Sequence, residues 1–163
     1  MVKRVVLIAD PVDEDSAVWS SIIEELGLKA VRAKRTAEVM VLYKAGVDLV
    51  VLDMKSDTMN PDTILPDVGQ KAGIPIVICS ADGSREDAIT AMRYGCLDWV
   101  DKPIEAESAK QILISSLRKS GIPVGDSEDI TGSRDLVKEI ARRIRDGDIA
   151  LPDVPQVVDT LDA

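Results

Sequence analysis

Short apolar segments alternate with amphipathic segments along the first 120 residues of the chain. The apolar segments have the length and β-branched composition of buried strands, and they lie at 3–9, 28–33, 48–52, 74–79 and 97–100. The segments between them have helical periodicity and cover 14–26, 36–45, 61–72, 84–94 and 105–120. A glycine follows each predicted helix, where it supplies the left-handed conformation that ends many helices. The pattern therefore predicts five β/α repeats.

Five β/α repeats with short connections predict right-handed crossovers and a single parallel sheet with helices on both faces. The composition agrees with this α/β prediction. Hydrophobic residues make up 45% of the chain, and there are two Trp, two Tyr and no Phe. A core of Val, Ile, Leu and Ala is typical of strands that are buried on both faces of a parallel sheet.

Charge and composition exclude several classes of function. The net charge is −9 with scattered Lys and Arg, which argues against direct nucleic-acid binding. No apolar span of about 20 residues predicts a membrane helix, and Cys79 and Cys96 form no CxxC pair, so we expect a cytoplasmic protein with free thiols. The absence of histidine excludes Ser–His triads, imidazole zinc sites and a phosphohistidine within this chain.

Four polar residues follow four of the predicted strands. Asp10 follows the first strand, Asp53 the third, Ser80 the fourth and Lys102 the fifth. The carboxyl ends of parallel strands lie along one edge of a sheet, which is where such folds bind ligands. We therefore expect these four side chains to lie close together.

This set of residues suits phosphoryl transfer to a carboxylate. Asp53 would be the nucleophile, Lys102 would neutralise charge on the transferred group, and the Ser80 hydroxyl would donate a hydrogen bond to a phosphoryl oxygen. Asp10 and Asp53 would hold Mg²⁺, a hard cation that binds through one or two carboxylates, waters and phosphate oxygens. The small Ala81 after Ser80 would leave room for a phosphodonor.

These residues resemble those of the CheY-like receiver domains of two-component response regulators. The resemblance covers about residues 1–120 and is carried by Asp10, by LVVLD ending at Asp53, by Ser80 followed by alanine, and by GCLDWVDKP containing Lys102 and Pro103. It implies a flavodoxin-like strand order, a magnesium requirement and a cis peptide before Pro103. It also implies that Asp53 is phosphorylated by a partner histidine kinase or phosphotransfer protein. The chain would be a signalling domain and not an enzyme, beyond self-catalysed phosphoryl transfer and dephosphorylation.

The acidic pair that usually follows the first strand in this family is incomplete. Asp10 matches the first acid, but Pro11 replaces the second, which is commonly a direct metal ligand, so metal binding should be weakened or lost. Asp13, Glu14 and Asp15 are the nearest carboxylates in sequence. They could supply the lost carboxylate, but we assign them to the first turn of the first helix, where acids interact favourably with the helix dipole.

Two further positions have more than one interpretation. The Lys55 ammonium either pairs with Asp10 or Asp53, replacing part of the missing metal charge, or it points to solvent, where ion pairs contribute little. Trp99 occupies the position of a family aromatic that turns inward on activation, or it anchors a partner. The loop after Asp53, KSDTMNPD, lacks the usual proline–glycine turn.

Two other functions compete with a phosphorylated receiver. A pseudo-receiver would keep the fold as a protein-interaction module without a phosphate switch, and Pro11 and Lys55 favour it. An aspartyl-phosphate phosphatase of the haloacid-dehalogenase type also uses Asp, Ser or Thr, and Lys. That class needs a DxD pair on the first strand, which Asp10-Pro11-Val12 does not supply.

The remainder of the chain predicts a linker and a helical tail. Residues 121–132 have linker composition, and residues 133–146 predict an amphipathic helix with Leu136, Val137, Ile140 and Ile144 on one face. The helix followed by IALPDVPQVVDTLDA, within 133–163, resembles the opening of an HDOD domain, which would make the segment a truncated output domain. The alternative is a disordered or swapped helical tail. The receiver, a second copy of the chain or a missing output domain would cover this apolar stripe, and we expect a homodimer.

Overall fold

Residues 4–124 are described by the structure, a computed structural model. The strands are β1 (Val5–Ala9), β2 (Lys29–Ala33), β3 (Leu49–Leu52), β4 (Ile76–Ser80) and β5 (Asp98–Asp101). The helices are α1 (Asp13–Glu25), α2 (Thr36–Gly46), α3 (Pro61–Ile64), α4 (Arg85–Arg93) and α5 (Ala106–Lys119). The predicted tail at 133–163, with its HDOD resemblance, and most of the predicted linker at 121–132 lie outside the described residues.

The five strands form one parallel sheet in the order β2-β1-β3-β4-β5. β1 lies near the centre, where Val6 pairs with Ala30 of β2 on one side and with Leu49 of β3 on the other. The strand order reverses direction after β2, so the carboxyl ends of β1 and β3 face a crevice that suits ligand binding. The predicted flavodoxin-like doubly wound fold is confirmed over the described residues.

Successive side chains of each central strand point to opposite faces of the sheet, because a strand has a period of two. On one face, Val6, Ile8, Val51 and Val77 join a buried cluster with residues of α1 and α5, including the fully buried Trp19. Trp19 is therefore a packing residue of the first helix.

The opposite face of the sheet is covered by α2, α3 and α4. Here Leu7, Val50, Leu52 and Ile78 pack in a second buried cluster with helix residues such as Val39. Together the two clusters bury both faces of the sheet, which explains why its strands read as continuous apolar runs in the sequence.

The predicted helix at 61–72 is divided into two kinds of helix. After α3, residues Leu65–Lys71 form a π-helical segment, in which the Ala72 N–H donates to the carbonyl of Asp67, five residues earlier, at 3.0 Å. Pro66 has no N–H to donate and its ring crowds the preceding turn, so it disturbs α-helical bonding here. The sequence pattern predicts helix at these residues but not its type.

The described fold extends past α5. Gly121 has a φ of +73°, which L side chains rarely adopt, and it ends the helix as predicted. Ile122 is buried in the same cluster as α1 and α5, and Val124 packs against that cluster. Within residues 4–124, no helix is both long enough and apolar enough to cross a membrane.

Candidate functional site

The carboxyl edge of the sheet brings the sequence-predicted site residues together. The Asp53 N–H donates to the carbonyl of Ala9 at 2.9 Å, which fixes Asp53 beside the end of β1, where Asp10 follows. The Lys102 N–H donates to the carbonyl of Ser80 at 3.0 Å, which fixes Lys102 beside the end of β4. These bonds extend the pairing of the parallel strands into the site.

The Lys102 ammonium lies at the centre of three carboxylates. Its Nζ is 2.8 Å from Oδ2 of Asp15, 2.9 Å from Oδ2 of Asp10 and 3.1 Å from Oδ2 of Asp53. The peptide between Lys102 and Pro103 is cis, as the family resemblance implies. The predicted convergence of Asp10, Asp53 and Lys102 is therefore present, and a third acid joins them.

Burial and charge act in opposite directions on these groups. Burial alone would lower the pKa of Lys102, but its hydrogen bonds with Asp15, Asp10 and Asp53 outweigh that effect and raise it, so the ammonium stays charged. Burial raises the pKa of Asp10, although the Val12 N–H and Lys102 partly offset the increase. Asp10 is only 1% exposed, and desolvation by burial is the largest influence on its pKa.

Asp53 is held by two donors. Its Oδ2 accepts a hydrogen bond from Lys102 at 3.1 Å and its Oδ1 accepts one from the Lys55 N–H at 3.0 Å. Ser80 is fully buried, and its hydroxyl has no hydrogen-bond partner among residues 4–124. An unpaired buried hydroxyl is unfavourable in a folded protein, by about 1–3 kcal/mol. Ser80 thus has a donor available for a ligand at this edge.

The predicted pairing of the Lys55 ammonium with Asp10 or Asp53 is wrong. Its Nζ lies 2.9 Å from Oδ2 of Asp87, near the start of α4, and only its backbone N–H contacts Asp53. The cation beside the two site carboxylates is the ammonium of Lys102. Lys55 instead ties the loop after β3 to α4.

Asp15 is the site residue that the sequence did not assign to the site. It lies in the first turn of α1, as predicted, but its carboxylate turns towards Lys102. Its neighbour Asp13 turns the other way, to Arg32 at 2.7 Å. The helix start has no side-chain cap, and Asp13 and Asp15 make tertiary ion pairs instead. The pattern of acids at 13–15 offered no signal to separate these roles.

The donor set fits a magnesium ion. Asp10 and Asp53 direct two carboxylates at one cation, and Mg²⁺ is held by one or two carboxylates together with waters and phosphate oxygens. Pro11 contributes no side-chain ligand. Between residues 4 and 124, no three acidic, histidine or cysteine side chains are already clustered as a metal site. The predicted pair of metal ligands, Asp10 and Asp53, is therefore compatible with Mg²⁺ but incomplete.

Trp99 lies in β5 near the same edge. Its indole N–H donates to Oδ1 of Asp101 at 3.0 Å, and its ring lies so close over Gly83 that a Cβ there would overlap it. The side chain is half-buried, and a glycine is therefore required at position 83 for this placement. Whether Trp99 moves on activation stays a prediction.

Comparison with known proteins identifies the family. The response regulator receiver domain family matches residues 6–114. The two-component response regulator ARR2 of Arabidopsis thaliana is 29% identical over 66% of this chain and 17% of its own length. The transcriptional regulatory protein GlrR of Escherichia coli is 30% identical over 58% of this chain and 22% of its own length. The chain thus spans about a fifth of the length of these relatives.

Solved structures share the fold. A CheY-like receiver domain protein from Methanospirillum hungatei superposes with a TM-score of 0.64 at 18% identity, over 74% of this chain and 98% of that one. The family match covers the strands that carry Asp10, Asp53, Ser80 and Lys102, and the fold and the convergence of these residues agree with it. The chain belongs to the response regulator receiver domain family of two-component systems.

Proposed function

We propose that the chain is a phosphoacceptor receiver in which Asp53 accepts a phosphoryl group from a histidine kinase or phosphotransfer protein. The observation that carries the proposal is the Lys102 ammonium, which lies 3.1 Å from Oδ2 of Asp53 and is held there by Asp10 and Asp15. A fixed cation beside a fixed carboxylate is the arrangement that stabilises charge developing in phosphoryl transfer.

The transfer forms one bond and breaks one bond. A carboxylate oxygen of Asp53 attacks the phosphorus of the donor's phosphohistidine, and the phosphorus–nitrogen bond breaks with its electron pair left on the imidazole. Lys102 offsets negative charge on the phosphoryl oxygens. The Ser80 hydroxyl, which has no partner among residues 4–124, donates to one of those oxygens. The exposed Ala81 beside it leaves the approach open.

Asp10 and Asp53 are the residues that would hold Mg²⁺. When bound, the ion supplies further positive charge to the phosphoryl oxygens. Lys102 orients the Asp53 carboxylate by a direct hydrogen bond, which does not depend on the metal ion.

Cys79 and Cys96 are free thiols, which favours the reducing cytoplasm as the location where this chain meets its donor.

Acetyl phosphate with magnesium tests the proposal. Intact-mass analysis should show one phosphoryl adduct on the wild-type chain and none on Asp53→Asn. Asp62→Asn, which removes an exposed carboxylate outside the site, is the matched control and should keep the adduct. An adduct that persists on Asp53→Asn, or a wild-type chain that stays unmodified with a phosphohistidine donor as well, overturns the proposal.

A second candidate function is a phosphorylation-independent interaction module. Pro11 favours it because the site lacks an acid, and the Lys102 ammonium already lies among three carboxylates without phosphate. Amide NMR spectra separate the two functions. A receiver shifts resonances around Ser80 and α4 when beryllofluoride, a phosphoryl mimic, is added with magnesium, whereas an interaction module leaves the spectrum unchanged.

A further inference from the structure

Asp15 makes the shortest contact with the Lys102 ammonium. Its Oδ2 lies 2.8 Å from Nζ, against 2.9 Å for Asp10 and 3.1 Å for Asp53. The Asp15 side chain is 22% exposed, whereas that of Asp10 is 2% exposed. Asp15 is therefore the carboxylate of the three that lies closest to solvent, at the entrance to the site.

The start of α1 is built so that Asp15 faces the site. The Ser16 hydroxyl, which is buried, donates to the backbone carbonyl of Asp10 at 3.1 Å and fixes the first turn against the end of β1. Asp13 is drawn to the opposite side by Arg32 at 2.7 Å. Glu14 is exposed. One acid of the three in this turn is thus directed at the cation position.

The charges at the site leave room for a divalent cation. Three carboxylates converge on one ammonium, so two negative charges remain uncompensated within the cluster. Pro11, between Asp10 and the start of α1, offers only a backbone carbonyl. Asp15 contacts the same Lys102 ammonium as Asp10 and Asp53. It is therefore the next carboxylate available to a cation bound beside those two residues.

We propose that Asp15 supplies the carboxylate that Pro11 lacks, and that it binds Mg²⁺ together with Asp10 and Asp53. The inference rests on the proposed phosphoacceptor function, because phosphoryl transfer to Asp53 is the reaction in which a bound Mg²⁺ would take part. Residues 4–124 contain no ready-made cluster of three ligands, so the Asp15 carboxylate turns from Lys102 to the ion when the ion binds. Its partly exposed position permits that rotation, and Lys102 keeps Asp53 as its partner.

Calorimetric titration of the full chain with MgCl₂ tests this role without depending on activity. Asp15→Asn should weaken Mg²⁺ binding by about tenfold or more, since even indirect partners of metal ligands cost roughly 10- to 100-fold in affinity. Glu14→Gln removes the same charge from the same turn and should change the affinity little. Circular dichroism confirms that both variants keep the fold.

A double-mutant cycle separates a substitute ligand from a general effect of charge. In the Pro11→Asp background the second acid is restored, so Asp15→Asn should lose much less affinity there than it does in the wild-type chain. Equal losses in both backgrounds would show that Asp15 does not replace the missing acid. Unchanged or tighter binding by Asp15→Asn alone, or no binding by the wild-type chain, also overturns the inference.

The phosphoryl adduct, measured in parallel by mass, distinguishes the two levels of the proposal. If the wild-type chain is modified at Asp53 while Asp15→Asn binds Mg²⁺ unchanged, the inference fails and the phosphoacceptor function stands. If Asp15→Asn loses Mg²⁺ affinity while the wild-type chain takes no phosphoryl group from either donor, Asp15 is a metal ligand in a chain that is not a phosphoacceptor.

Discussion

A buried carboxylate at the centre of the site works against the stability of the fold. Asp10 is 1% exposed, and although it lies 2.9 Å from Lys102, burial raises the pKa of its carboxyl group. The ionised form therefore costs free energy in the folded state that it does not cost in the unfolded chain. Buried ion pairs often behave in this way, because desolvation exceeds the attraction.

We therefore expect Asp10→Asn to raise the free energy of unfolding at pH 7 in the absence of divalent metal. Asparagine keeps the acceptor for the Val12 N–H, which lies 2.9 Å from Oδ1. Its amide nitrogen then replaces Oδ2 opposite Lys102, so the ammonium shifts towards its remaining partners, Asp15 and Asp53. Urea unfolding in EDTA, with Asp62→Asn as the exposed control, measures the change. A lower midpoint for Asp10→Asn would show that the Lys102 pair outweighs the burial of the carboxylate.

The effect of Asp10→Asn on the free energy of unfolding should depend on pH. Because the pKa of Asp10 is higher in the folded state than its ordinary value of 3.8, the cost of the ionised form is fully present above the folded-state pKa. It is absent below 3.8, where the group is protonated in both states. The advantage of Asp10→Asn should therefore shrink as the pH falls towards 3.8.

At the scale of elements, α4 begins with a reciprocal capping box. The Ser84 hydroxyl accepts from the Asp87 N–H at 3.1 Å, and the Asp87 carboxylate accepts from the Ser84 N–H at 3.1 Å. The same carboxylate pairs with Lys55 at 2.9 Å. One residue thus links the start of α4 to the loop that follows the proposed phosphoacceptor.

Ser84→Ala should lower the free energy of unfolding by about 1 kcal/mol, the usual value of an N-cap side chain. Denaturant unfolding measures it, and Ser21→Ala, an exposed position within α1, is the control that should not destabilise. In the same variant the amide protons of the first turn of α4 should exchange faster. If stability and exchange both stay at wild-type values, the cap contributes nothing and the Lys55 pair alone holds this helix start.

The elements themselves were largely predictable, because periodicity and the glycine after each helix act locally. The strand ends at Asp10, Asp53 and Ser80 follow directly from apolar runs that stop at a polar residue. The π-helical segment was not predictable, since the pattern at 61–72 shows the apolar face of a helix but not how Pro66 alters its hydrogen bonding. Helix type there depends on backbone bonds that side-chain patterns do not encode.

The site was predictable in its strand residues and not in its side-chain partners. Asp10, Asp53, Ser80 and Lys102 are placed by the topology of a parallel sheet, so their convergence follows from strand order. Lys55 could pair within the site or with α4, and only the position of Asp87 decides that.

At the scale of the whole molecule, residues 4–124 supply both buried layers of the sheet. The cluster with α1 and α5 includes Ile122, and the helix residues of the opposite cluster come from α2, α3, the π-helical segment and α4. A chain ending at Val124 therefore retains every residue of these two clusters. We expect this shorter chain to fold. It should unfold cooperatively on heating, as the full chain does, and its far-ultraviolet circular dichroism spectrum should show the same helices and strands.

The segment beyond residue 124 carries the prediction of association. Its sequence places Leu136, Val137, Ile140 and Ile144 on one face of a predicted helix of 14 residues, 133–146, and a helix of that length is marginal in water unless its apolar face is covered. Light scattering should therefore find the full chain dimeric and the chain ending at Val124 monomeric at the same concentration.

A full-length variant with Leu136→Glu and Ile140→Glu identifies the cause. It keeps the length of the chain but places charges on the predicted apolar face, so it should be monomeric with an unchanged receiver fold. A dimer that persists in this variant would assign association to another surface. Monomers at high concentration for both the full chain and the chain ending at Val124 would contradict the homodimer outright, because the apolar stripe would then have no second copy of the chain to cover it.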